Sequence, residues 1–135
     1  ALAVLMPVVA SMGGIAGTQT LTLVIRALAL DQVASRNTRA LLIKELGIGI
    51  LNGLLWAGVL AGIAILWFGQ PAIGAIIAAA MIVNLAVAAL SGVGVPLILK
   101  RLGIDPALAG GVVLTTVTDV IGFLAFLGLA TLFLI

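Results

Sequence analysis

The sequence predicts an all-α protein, a polytopic bundle of four transmembrane helices. Of its 135 residues, 64% are hydrophobic and 7% are charged. A soluble domain carries about 25% charged residues, and so few charges cannot cover the surface of a water-soluble fold of this size. The apolar residues also fall into four long runs, each able to supply the roughly 20 residues that a membrane helix needs. The runs are continuous, whereas the strands of a membrane barrel would alternate over about ten residues.

The first span covers about 1–30 and is interrupted late by Arg26. It carries Pro7, a candidate kink, and the small, polar stretch SMGGIAGTQT from Ser11 to Thr20. The chain opens on Ala1 and is apolar at once, without the basic region and short apolar core of a secretory signal. It reads as a piece of a larger protein that begins within or just before a membrane helix. The second span, about 41–68, has Lys44 and Glu45 near its start, most simply a surface ion pair or snorkelling pair. It contains the small-xxx-small patterns GILNG (Gly49 to Gly53) and GVLAG (Gly58 to Gly62), which suit close helix packing. The third span, about 72–99, has no charge, and GQPAIG puts Pro71 in its first turn, where the missing N–H costs nothing. The fourth, about 107–135, has Asp119 as its only charge. In KRLGIDPALAG, Asp105 caps it and Pro106 takes the first helical position. A polar loop, DQVASRNTR, joins the first two spans. No repeat or long linker divides the chain, so residues 1–135 form one transmembrane domain.

Composition also excludes chemistry. There is no cysteine and no histidine, which removes disulfides, thiolate metal sites, zinc enzymes and histidine acid–base catalysis. The net charge of +2 comes from six basic residues gathered in two short regions, a poor footprint for nucleic acid. Arg26, Arg36, Arg39 and Lys44 surround the first loop, and Lys100 and Arg101 mark the third. The positive-inside rule therefore puts loops 31–40 and 100–106 in the cytoplasm of a multi-pass cell (inner) membrane protein. Trp67, at a helix end, suits the outer interface, and Trp56 is too deep for that role.

Asp119 is the residue that asks for a function. At about 1.5 Å per residue it lies roughly 18 Å into its helix, near the midplane of a core about 30 Å thick. A charge there costs about 2.5–3.5 kcal/mol even on a lenient scale, and no basic residue lies at its depth. Asn52, Asn84 and the Ser11–Thr20 stretch reach the same level; the two asparagines read as interhelical glue. On the fourth helix, Gly111, Thr115, Asp119 and Gly122 form a stripe with Thr116 and Thr118 at its edges. On the first, Gly13, Gly14, Gly17 and Thr18 offer a matching glycine-rich surface. Such faces suit a wet path, and a fixed carboxylate among hydroxyl and carbonyl oxygens attracts hard cations such as Mg²⁺, Ca²⁺ or Mn²⁺. One carboxylate per chain is few for a divalent ion; a homodimer with its axis along the path would supply two. Composition and spacing reach a cation pathway and do not select the ion.

Four stretches then carry a resemblance: PVVASMGGIAGTQTLTLVIRALAL (Pro7 to Leu30), KELGIGILNG (Lys44 to Gly53), GVGVPLILKRLGIDPA (Gly92 to Ala107) and TTVTDVIGFLAFLGLATLFL (Thr115 to Leu134). In this order they resemble the transmembrane domain of the MgtE family of magnesium channels and transporters. The resemblance implies a homodimer with five membrane helices per subunit, of which this chain matches the last four. It implies an ion path between subunits, lined by the helices matching the first and fourth spans here. Asp119 would bind hydrated Mg²⁺, with backbone oxygens of Thr115 and Gly111 contributing. Gly13, Gly14, Gly17, Thr18, Thr116 and Gly122 are the expected lining. Mn²⁺, Ca²⁺ or Co²⁺ are further possible cargoes, and cytosolic regulatory domains are expected partners in a full-length protein. The family's glycine-rich motif commonly has an asparagine where this chain has Ile15, and relatives can carry a polar side chain at the position of Gly111. Two rival readings follow from the residues: a proton-coupled transporter in which Asp119 titrates, and a non-transporting membrane scaffold. No nucleotide motif suggests a pump, and nothing suggests an enzyme.

Overall fold

The computed structural model describes residues 2–29 and 38–133. They form four antiparallel helices: α1 (Leu2–Ala29), α2 (Thr38–Phe68), α3 (Pro71–Arg101) and α4 (Pro106–Phe133). All four are long and apolar enough to cross a membrane, as the sequence predicts. Residues 31–37 of the first loop, and Arg36 with them, lie outside the described residues.

The helix ends explain the small differences in bounds. α2 starts at Thr38 rather than about Leu41, because a helix extends past the hydrocarbon edge that hydropathy detects. α3 continues through Lys100 and Arg101, whose charges suit the negative end of the helix dipole. It stops at Gly103, with φ +78°. There the Gly103 N–H donates to Lys100 O at 3.1 Å and the Ile104 N–H to Leu99 O at 2.9 Å, a paired closure that needs the left-handed residue. Asp105 caps α4 as expected: its Oδ1 accepts the Ala107 N–H at 3.0 Å. Gln70 precedes α3, with Pro71 in its first turn. α1 runs unbroken through Pro7.

The central element is α3, which packs against α1, α2 and α4; α1 also packs against α4, and α2 rests almost wholly on α3. Lipid tails are as apolar as leucine, so close approach and polar contacts must hold these helices together. Glycine supplies the approach. A Cβ on Gly49 would stand 2.9 Å from the Leu85 carbonyl oxygen, and one on Gly53 3.2 Å from the Ile82 Cα. Gly92 meets α1 in the same way, 2.9 Å from the Gly17 carbonyl oxygen. The second pattern expected to pack does not: Gly58 and Gly62 face open space, since the buried stripe of α2 runs through Glu45, Gly49, Gly53 and Ala57.

The apolar core gathers at one end, around Val9, Ala64, Ile77, Met81, Phe126 and Ala130. The other end is more polar inside. There Thr20 and Glu45 are buried, at 7% and 6% exposure. Glu45 is therefore not the surface partner of Lys44 that the sequence suggests. Neighbouring residues on a helix point to different sides, and its place in the stripe with Gly49 turns Glu45 inward.

Candidate functional site

The site grows from the way α1 and α4 meet. The buried residues of α4 are Gly110, Leu114, Thr118, Gly122, Phe126 and Ala130, a strict four-residue spacing that presents one narrow ridge. That ridge meets α1 in antiparallel register. A Cβ on Gly110 would stand 3.1 Å from the Leu21 side chain, one on Gly17 3.1 Å from Leu114, and one on Gly122 3.2 Å from the Ala10 Cα. Small residues alternate between the two helices, so the backbones run close along their whole contact.

Beside this seam lies an open groove of about 510 Å³. From α1 it is lined by Ser11, Gly14, Ile15, Thr18 and Gln19, and from α4 by Thr115 and Asp119. Asp119 is exposed, one residue past the buried ridge position Thr118. The carboxylate thus stands on the outward flank of the helix pair, away from the chain's own core.

The hydroxyls beside it are oriented by the helix. The Thr115 Oγ1–H donates to Gly111 O at 2.8 Å, Thr116 to Val112 O at 2.7 Å and Thr118 to Thr115 O at 3.2 Å. A hydroxyl that donates backward keeps its lone pairs for an outside donor or cation. The Gly111 and Thr115 carbonyl oxygens each already receive such a hydroxyl, besides their helical N–H partner. Either would meet an ion only after that hydroxyl turns.

The structure brings Gly14, Thr18, Thr115 and Asp119 together in the groove. Gly111 is exposed with open space beside it, and Thr116 is exposed on the far flank. Gly13, Gly17 and Gly122 do not line the groove. They face the interior, where each lets a neighbouring helix approach. Gly122 is three positions after Asp119, and the four-residue ridge claims it. Ile15 projects into the groove with 57% exposure. Ser11 and Gln19 complete a polar rim that the run SMGGIAGTQT placed at the right level but not on a side.

Asn84 is wholly buried, and its Nδ2 donates to the Val9 carbonyl oxygen at 2.9 Å. This is the interhelical link expected of it. Its approach requires Gly13, since a Cβ there would overlap the amide nitrogen. The Asn84 Oδ1 is buried without a partner among the described residues. No group of three or more histidine, cysteine or carboxylate residues occurs among the described residues.

The sequence matches the family model for MgtE, a divalent cation transporter, over residues 6–129. It is similar to the magnesium transporter MgtE of Thermus thermophilus, 38% identical over 134 residues, or 99% of this chain and 30% of that protein. It is also similar to the magnesium transporter MgtE of Bacillus subtilis, 34% identical over 134 residues, again 99% of this chain and 30% of that protein. With the magnesium transporter MgtE of Enterococcus faecalis it shares 30% identity over 133 residues, 98% of this chain and 29% of that protein. The chain spans about 30% of the length of these curated relatives.

Proposed function

The chain belongs to the MgtE family of divalent cation transporters, and we propose that it is the ion-conducting membrane part of a Mg²⁺ transporter, with the path running between two copies along the α1–α4 groove. One observation carries this reading: the only charge on α4 is exposed in a polar groove on the outer flank of the helix pair. Left facing lipid, such a carboxylate costs about 2.5–3.5 kcal/mol or more. A second copy related by a two-fold axis would cover the groove and bring a second Asp119 beside the first. Two close carboxylates repel each other, and a cation between them relieves that repulsion.

Mg²⁺ gives up its waters reluctantly and is usually held by one or two carboxylates. The ion would therefore pass hydrated, with Asp119 fixing it by charge. The Thr115 and Thr18 hydroxyl oxygens would accept hydrogen bonds from its waters, and the backbone oxygen of Gly111 would join them once the Thr115 hydroxyl turns away from it. Gly14 keeps the groove wide, and Thr116 extends the polar flank. Mn²⁺, Ca²⁺ or Co²⁺ offer the same charge and are secondary cargoes. Flow would be passive, down the electrochemical gradient. Arg26, Arg39, Lys100 and Arg101 sit at one end of the bundle, which supports a cytoplasmic placement of that end in a cell membrane. The greater length of the relatives supports regulatory domains attached to this unit.

This chain has no cysteine of its own, so introduced thiols report cleanly. Thr18→Cys in the groove should react with a cationic water-soluble thiol reagent, and Mg²⁺ should slow that reaction. Leu55→Cys, at a position 60% exposed in the middle of α2, should stay unreactive. Equal reaction at the two positions would sink the aqueous path.

A further inference from the structure

Glu45 is a carboxylate with 6% exposure inside a membrane-spanning helix. Its one hydrogen bond among the described residues comes from the Thr20 hydroxyl, at 3.5 Å to Oε2. The same hydroxyl lies 3.4 Å from the Ala16 carbonyl oxygen. It has a single proton to give, and both distances exceed the roughly 2.5–3.0 Å of a good O–H···O bond. A carboxylate offers about four acceptor positions, so the described residues leave most of them unfilled. Burying an ion this way costs several kcal/mol unless an opposite charge joins it.

The carboxylate borders a cavity of about 180 Å³ between α1, α2 and α3, which also meets Gln19, Thr20 and Asn52. Bulk water occupies about 30 Å³ per molecule, so the space holds several waters. The available ligands are a carboxylate, a hydroxyl and two amides, an oxygen set suited to hard cations. Gln19 borders both this cavity and the Asp119 groove, yet the two lie on different sides of α1. Lys44 is exposed and borders the cavity too. Its ammonium is a competing cation built into the chain.

We propose that this cavity is a second cation site, in which Glu45, Thr20, Gln19 and Asn52 hold a hydrated divalent cation apart from the Asp119 groove, in competition with Lys44. The site needs no second copy, and it stands whether or not Asp119 lines a conducting path, because binding is read without transport.

The test uses the complete protein in lipid nanodiscs, with Mn²⁺ as the paramagnetic probe and Asp119→Asn as the background. Adding Glu45→Gln should remove about one bound Mn²⁺ per chain. Adding Asn52→Leu should weaken that Mn²⁺ several-fold, and adding Lys44→Gln should tighten it, neither changing the elution volume of the protein. Equal Mn²⁺ binding with and without Glu45→Gln overturns the proposal. Should Glu45→Gln fail to fold, unchanged affinity in both Asn52→Leu and Lys44→Gln overturns it equally; the Lys44 ammonium alone would then offset the carboxylate's charge.

Discussion

Replacing Gly13 by alanine should damage the bundle far more than one methyl group suggests. The new Cβ would overlap the Asn84 amide nitrogen and stand 2.7 Å from its carbon. Asn84 has no free space to retreat into, since it is wholly buried and Gly122 closes on it from α4. Overpacking of this kind costs about 1–3 kcal/mol. Pushing the amide off Val9 breaks its 2.9 Å bond and leaves a buried donor unpaired, about 1–3 kcal/mol more. Alanine recovers about 0.5–1 kcal/mol as the better helix former. The net loss is about 3 kcal/mol, read as a shift in an SDS unfolding titration followed by circular dichroism. Gly58→Ala, in open space, should be neutral or slightly stabilising. The double variant Gly13→Ala/Asn84→Ala separates the clash from a general effect. Asn84→Ala alone should cost about 1 kcal/mol, and in that background Gly13→Ala should cost little, a coupling of about 3 kcal/mol. A Gly13→Ala loss within about 0.5 kcal/mol of Gly58→Ala, or no coupling to Asn84, would refute the reasoning.

Gly49→Val should loosen α2 from α3, because its Cβ would press on the Leu85 backbone carbonyl, 2.9 Å away, at a cost of about 1–3 kcal/mol; faster hydrogen exchange in α2 than in α1 would report it. Asp105→Ala removes the bond to the Ala107 N–H and should cost about 1 kcal/mol, with faster exchange confined to the first turn of α4.

The four spans were legible because lipid as a solvent leaves a coarse record: long apolar runs broken by Pro71, Gly103, Asp105 and the basic residues. Asp119 was legible for the same reason, as a carboxylate stands out against an uncharged helix. What the sequence could not convey is which side of each helix turns inward. A soluble helix announces its buried face by an apolar stripe, but these helices are apolar all round. Residue size then decides, and glycine spacing is ambiguous between three and four. Hence Gly122 joined the Asp119 stripe in the sequence and the buried ridge in the structure, and Gly13 and Gly17 turned to Asn84 and Leu114 instead of the groove. Glu45 carried a usable signal that adjacency to Lys44 obscured. It continues the four-residue series of Gly49, Gly53 and Ala57, which is the face α2 buries.

Voltage-driven Mg²⁺ uptake into liposomes, comparing the complete protein with its Asp119→Asn variant, tests the central claim most directly. The variant keeps the shape and removes the charge at a position exposed to the groove, so the fold should survive while uptake falls sharply. Equal uptake in a folded variant would contradict the account and take Asp119 out of the ion's path.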